Sequence, residues 1–170
     1  TLPTIYIYIY RYIDIDVARR ASEVVARLLK SQVQGVLATV NVSGVPATHL
    51  MAYATCSQLR RVFLATPVGT RKDQNMRSHP DVSLLWDDRT GNLGDHADGI
   101  LVTAEGKATL LEPCDTAAIK AHAAMLADNP NMKEFLAADT TVLFAVDVSE
   151  WGVVEGYGAT RTWNPNENNV

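Results

Sequence analysis

Phe63-Leu-Ala-Thr-Pro-Val-Gly-Thr-Arg-Lys-Asp-Gln-Asn-Met-Arg-Ser-His-Pro80 takes the chain from a strand through a short loop into a brief helix and a stop. Pro67-Val-Gly69 is turn chemistry. Thr70 stands where a helix N-cap hydroxyl belongs, and Thr70-x-x-Asp73 has capping-box spacing with Asp in place of the usual Glu. Arg71 and Lys72 then fall in the first turn, where the macrodipole is already positive. Two further cations at that end signal an anion among them. The Thr70 hydroxyl, free backbone N–H groups, the planar Arg71 fork and the Lys72 point charge form a donor set suited to phosphate. The plainer alternative is a short helix with solvated charges.

Working outward, short strands flank this unit at hairpin spacing. Val36 to Val42 is strand-like, Ser43-Gly44 is a tight-turn signal, and Pro46 to Ala54 returns. Ser57-Gln58 turns the chain again into Arg61 to Thr66. Asp81 to Trp86 is a fourth strand, and residues 87–98 are polar and turn-rich. Ile100 to Thr103 and Lys107 to Leu111 follow, with a turn or bulge at Glu105-Gly106. Asp115 caps a helix over about 116–127, Asn129-Pro130 opens another, and Thr141 to Val148 is a strand that continues toward Val154. Tight turns between consecutive strands require antiparallel pairing. The expected fold is mainly β: a six-stranded antiparallel Greek-key barrel with inserted helices.

Residues 5–16 alternate Ile and Tyr, a period-two pattern that predicts a strand with one Ile and one Tyr face. Asp16 then reads as the N-cap of a helix over 17–31, with Val17, Val24, Val25, Leu28 and Leu29 as its apolar stripe. The expected organisation is a leader or strand at 1–16, one domain over 17–163 and a loose polar tail at 164–170.

The chain has 170 residues, 47% of them hydrophobic, enough to bury a core. A net charge of −4 argues against nucleic acid as the main partner and makes any anion site a local feature. Cys56 and Cys114 are too few for a disulfide scaffold, so a reducing cytoplasm is expected. No run is long and apolar enough to suggest a membrane span.

The order Leu37-Ala-Thr-Val40, Ser43-Gly44-x-Pro46, Phe63-Leu-Ala-Thr66, Thr70-Arg-Lys-x-x-Asn75 and Pro80-x-Val-Ser-Leu84 resembles the pyridoxamine 5′-phosphate oxidase-like family of FMN-binding split barrels. The likeness covers roughly residues 20–112, and more weakly the chain to 154. It implies that Thr70, Arg71 and Lys72 hold the FMN phosphate, with Thr66 lining the same site. It implies that the strand Thr48 to Tyr53 lies along the flavin ring, its backbone near Leu50 bonding the ring edge and His49 or Met51 facing it. Asn75 matches a family position, where bonding to local backbone is the expected role.

The resemblance further implies a homodimer with flavin at the subunit interface. Trp86 to Asn92 and Trp151 to Trp163 are candidates to complete the partner's site. Among them Trp86 reads first as a packed core aromatic, and Arg161 and Trp163 are candidates near the cofactor. The full set of basic and aromatic residues with which the true oxidase holds its substrate is not found here. The expectation is therefore an FMN-dependent oxidoreductase of unknown substrate. The alternative is a non-catalytic flavin, haem or deazaflavin binder on the same fold. No catalytic residue stands out. His49 or His96 would be the haem ligand, while His79 and His122 read as turn and helix-surface residues. His96 between Asp95 and Asp98 lacks the converging ligands of a metal site.

Overall fold

The computed structural model describes residues 4–158 and 160–167, with side-chain surroundings from residue 17 onward and not for His96. Seven strands are present: β1 (Gln34–Val40), β2 (Pro46–Thr55), β3 (Arg61–Pro67), β4 (Asp81–Asp87), β5 (Ile100–Leu110), β6 (Thr141–Glu155) and β7 (Arg161–Trp163). The helices are α1 (Thr4–Ser31), α2 (Arg71–Ser78), α3 (Asp95–Asp98), α4 (Thr116–Asp128) and α5 (Lys133–Ala137), with a 3-10 turn at Pro130–Met132.

The sheet runs β3-β2-β1-β4-β5-β6-β7, and β3 also pairs with β6, so six antiparallel strands close into a barrel. Closure removes the edges that a short-stranded open sheet would expose. β7 is added outside the ring, on β6. β5 is one strand rather than two, and its register against β6 shifts between Glu105 and Gly106, where a bulge was expected.

Side-chain alternation decides what faces inward. Leu37 and Thr39 on β1, Met51 and Tyr53 on β2, Leu84 and Trp86 on β4, and Val102 and Ala104 on β5 are all buried. The buried face of α1, comprising Ala21, Val24, Val25, Leu28 and Leu29, joins the same core. Each such Val or Leu contributes roughly 1.5–3 kcal/mol on burial. The Tyr53 hydroxyl donates to the carbonyls of Leu29 (2.6 Å) and Gln32 (3.0 Å), so β2 satisfies acceptors at the end of α1. Burial, reinforced by Asp128, holds this phenol well above its ordinary pKa. A second cluster lies outside the barrel, where Ala121 and Met125 of α4 cover Ala54, Phe63 and Ala145.

Gly35 makes the close packing of β1 possible. A Cβ there would fall inside the van der Waals envelope of the Trp86 indole. That ring packs edge-on to Tyr53 (centroids 5.1 Å apart) and beside Trp151 (5.8 Å).

The structure departs from further expectations. Residues 5–16 lie within α1 and are helical, not a strand, so Asp16 is interior to the helix rather than its cap. A period of two also repeats at i, i+4, because four is even, so the alternation satisfies helical neighbours as well. A helix also bonds its own backbone, whereas a strand there would need a sheet partner. Val17, placed on the apolar stripe, is 41% exposed. Finally, the described part of the tail, residues 164–167, is anchored where it was expected to be loose, and residues 168–170 lie outside the described residues. The Arg60 guanidinium donates to the Pro165 carbonyl (3.2 Å), and the Asn166 amide donates to that of Val148 (2.9 Å).

Candidate functional site

α2 packs against β1, β3 and β5 and carries the candidate anion site on its first turn. Gly69 has φ of 79°, a left-handed conformation that turns the chain from β3 into the helix at no steric cost. Thr70 is the N-cap in extended conformation, and its hydroxyl accepts from the Asp73 N–H (3.4 Å). The Asp73 carboxylate reaches back to the Gly69 N–H (2.8 Å) and pairs with Arg77 (2.7 Å). This is the reciprocal cap that the Thr-x-x-Asp spacing predicts, shifted by one residue at its far end.

The Thr70 hydroxyl is already committed. It donates to the Pro67 carbonyl (3.0 Å) and lies 2.9 Å from the fully buried Thr66 hydroxyl. Both threonines therefore brace the loop. Thr70 meets a ligand only by exchanging its Pro67 bond. Arg71 and Lys72 are different. Among the described residues neither pairs with a carboxylate, and their backbone N–H groups head the helix with no intrahelical acceptor. A cavity of about 540 Å³ opens beside Arg71, lined also by Asn41, Val42, Gln74, Asn75 and Ser78.

The inner side of the site is a chain of side-chain hydrogen bonds. The buried Asn75 amide donates to Thr39 Oγ1 (2.8 Å), and Thr39 Oγ1 lies 3.1 Å from His49 Nε2. Asn75 thus bonds a side chain on β1 instead of the expected local backbone. Thr39, 1% exposed, was not singled out from the sequence. Its parity with Leu37 was the available signal, since an inward-facing threonine needs a partner.

Burial, then the positive charges of Lys72 and Arg71, hold the His49 imidazole below its ordinary pKa. The cations of α2 are therefore close enough to act on β2. Because the folded state resists protonation of His49, this group lowers stability as pH falls past the ordinary imidazole value, and costs nothing above it. Lys72→Gln is expected to raise the His49 pKa, as read by an NMR titration of the imidazole. An unchanged value would place Lys72 away from His49.

The structure brings together Thr66, Thr70, Arg71, Lys72, Asn75 and His49, and sets the other sequence candidates apart. Met51 shares the inward parity of His49 but is buried in the core. Leu50 points outward and is 63% exposed. Trp86 is 1% exposed within the aromatic cluster, which leaves no ring face for a ligand. Trp163 lies on β7 opposite Trp151, and Arg161 pairs with Glu155 (2.6 Å). In the 87–98 loop, the Asp95 carboxylate accepts from the N–H groups of Thr90, Gly91 and Asn92. Among the described residues no group of His, Cys, Asp and Glu could hold a metal, and no helix is long and apolar enough to cross a membrane.

A family model described as pyridoxamine 5′-phosphate oxidase matches residues 21–155, which hold all six strands of the barrel and the whole of the α2 site. The chain belongs to that family. Solved structures with the oxidase-like split barrel share its fold at low identity. A structure described as a heme binding protein from Mycobacterium smegmatis superposes with a TM-score of 0.77 at 20% identity, over 88% of this chain and 60% of that one. Campylobacter jejuni ChuZ gives 0.71 at 12% identity, over 86% and 60%. HutZ, described as the heme storage protein from Vibrio cholerae, gives 0.63 at 16%, over 76% and 91%. The chain thus spans three fifths of the length of the first and second of these. No curated protein matches the sequence. The span matched to the pyridoxamine 5′-phosphate oxidase family contains Thr66, Thr70, Arg71, Lys72, Asn75 and His49.

Proposed function

We propose that this protein binds FMN and acts as an FMN-dependent oxidoreductase. The observation that carries the reading is the pair of carboxylate-free cations, Arg71 and Lys72, on the first turn of α2. With the helix N–H groups they supply what a phosphate monoester dianion requires, a planar fork, a point charge and dipole ends. Residues 17–163 would form the flavin-binding domain. When bound, the isoalloxazine would carry the electrons, and the chain would bind and orient it. Arg71 and Lys72 are anchors in this account, not acids or bases.

The reading includes a homodimer with the flavin at its interface. Leu50, Val36 and Leu85 stand opposite one another on β2, β1 and β4, forming an apolar row on the outer face. A second subunit packed there would cover Leu50 and bring its own Arg161 or Trp163 toward the cofactor. Leu50→Asp is expected to convert a dimer to a monomer in light scattering at micromolar concentration. A variant that stays dimeric would move the interface elsewhere.

A haem-binding role is the second reading, favoured by the two structural neighbours described as heme proteins. Their identities of 20% and 16% carry the fold and not the ligand. Absorbance spectra after adding FMN or haemin separate the two: perturbed flavin bands at one FMN per chain support the proposal, and a sharp Soret band with no flavin uptake contradicts it.

A further inference from the structure

We propose that Thr39 is a positioning residue that fixes His49 as the neutral Nδ1–H tautomer and thereby presents a single hydrogen-bond donor to the bound cofactor. The last step rests on the flavin reading; the tautomer does not.

The inference follows from counting protons. Thr39 Oγ1 has one proton and three polar neighbours: Asn75 Nδ2 at 2.8 Å, His49 Nε2 at 3.1 Å and the Ala47 carbonyl at 3.5 Å. An amide nitrogen can only donate, so Asn75 takes one lone pair of the hydroxyl. The hydroxyl proton then goes to the nearer acceptor, because 3.5 Å is too long for a good O–H···O bond. That acceptor is His49 Nε2, whose lone pair is thereby used. A neutral imidazole carries its proton on the other nitrogen, and Nδ1 has no partner in the protein among the described residues. Burial and the nearby cations keep the ring neutral, so the arrangement persists at physiological pH.

Two consequences follow. His49 offers a bound ligand an N–H and no lone pair, which suits an acceptor atom on a polar heteroaromatic ring. A metal would reach the ring only by displacing the Thr39 hydroxyl from Nε2 or the proton from Nδ1. The relay also joins α2, through Asn75, to β2, so both halves of the site share one buried hydroxyl.

The tautomer is read directly by long-range 1H–15N correlation of the full chain labelled with 15N-histidine, without ligand, above the His49 pKa. The expected spectrum shows Nδ1 protonated and Nε2 pyridine-like. Thr39→Val preserves shape and removes the hydroxyl, so Nε2 should gain protonated population. Affinity for FMN should fall about fivefold to tenfold, the loss of one hydrogen bond. Affinity for inorganic phosphate should fall less than affinity for FMN, and Thr39→Ser should restore both the tautomer and FMN affinity. A wild-type Nε2–H tautomer would overturn the proposal. So would a Thr39→Val protein with the parental tautomer and FMN affinity. Wild-type protein that shows the Nδ1–H tautomer but binds no FMN would refute the flavin reading and leave the relay standing.

Discussion

The double variant Arg71→Ala/Lys72→Ala is expected to lose FMN binding, with affinity falling by at least a hundredfold and far-UV circular dichroism unchanged. Each side chain is exposed enough to be truncated without opening the core, and among the described residues neither has a side-chain partner to orphan. A charge-assisted hydrogen bond contributes roughly 1.5–3 kcal/mol, and about 1.4 kcal/mol is tenfold in affinity. Two such contacts at one phosphate give about 3–6 kcal/mol if they act independently. Arg71→Lys should recover part of the loss, since a point charge replaces the charge but not the fork. Affinity should also weaken with salt, because both cations lie at the surface. Isothermal titration at two ionic strengths checks each element. Parental affinity in the double variant would remove α2 from the site.

The second large effect is on stability. Trp86→Ala should cost about 3–5 kcal/mol, the range for deleting a fully buried aromatic. Trp86 touches Tyr53 and Trp151 and lies against Gly35, so its loss would loosen β1, β2 and β6 together. Gly35→Ala should destabilise from the opposite side, by about 1–3 kcal/mol, because the added methyl overpacks the same ring. The indole Nε1 has no hydrogen-bond partner among the described residues, which lowers the polar cost of removing it. Urea unfolding with an unchanged slope would report both losses. Near-parental stability for Trp86→Ala would mean that the aromatic cluster does not hold the barrel. Because Thr39 and His49 ride on β1 and β2, Gly35→Ala should also weaken the site, whereas Arg71→Ala should leave stability intact.

Local chemistry explains which features were readable in the sequence. The strands around α2 are short β-type runs bounded by turn signals such as Ser43-Gly44 and Ser57-Gln58, so their existence and antiparallel pairing follow from the chain alone. The Thr70–Asp73 cap is equally local, contained within four residues. The Ile/Tyr run misled because a two-residue period serves a helix at i, i+4 as well as a strand, and only the tertiary context separates them. β7 has no signature of its own in the sequence. Three residues carry no period of their own, and it forms by pairing with β6.

The site divides in the same way. Arg71 and Lys72 were legible because cations in a first helical turn oppose the dipole. The Asn75–Thr39–His49 chain was not, because its members lie on three elements and meet only when α2 packs against β1. Trp86 had two readings in the sequence, and its parity with the inward-facing Leu84 places it in the core. Leu50, His49 and Met51 were undivided until the pairing of Leu37 with His49 fixed the register.

The central claim is that α2 binds the phosphate of a flavin nucleotide. Fluorescence titration of the purified wild-type chain with FMN and, separately, with riboflavin tests it most directly, since the two ligands share the ring system and differ by the phosphate. The account predicts saturable FMN binding at one per chain and riboflavin binding weaker by at least a hundredfold. Equal affinities, or no uptake of FMN, would contradict it.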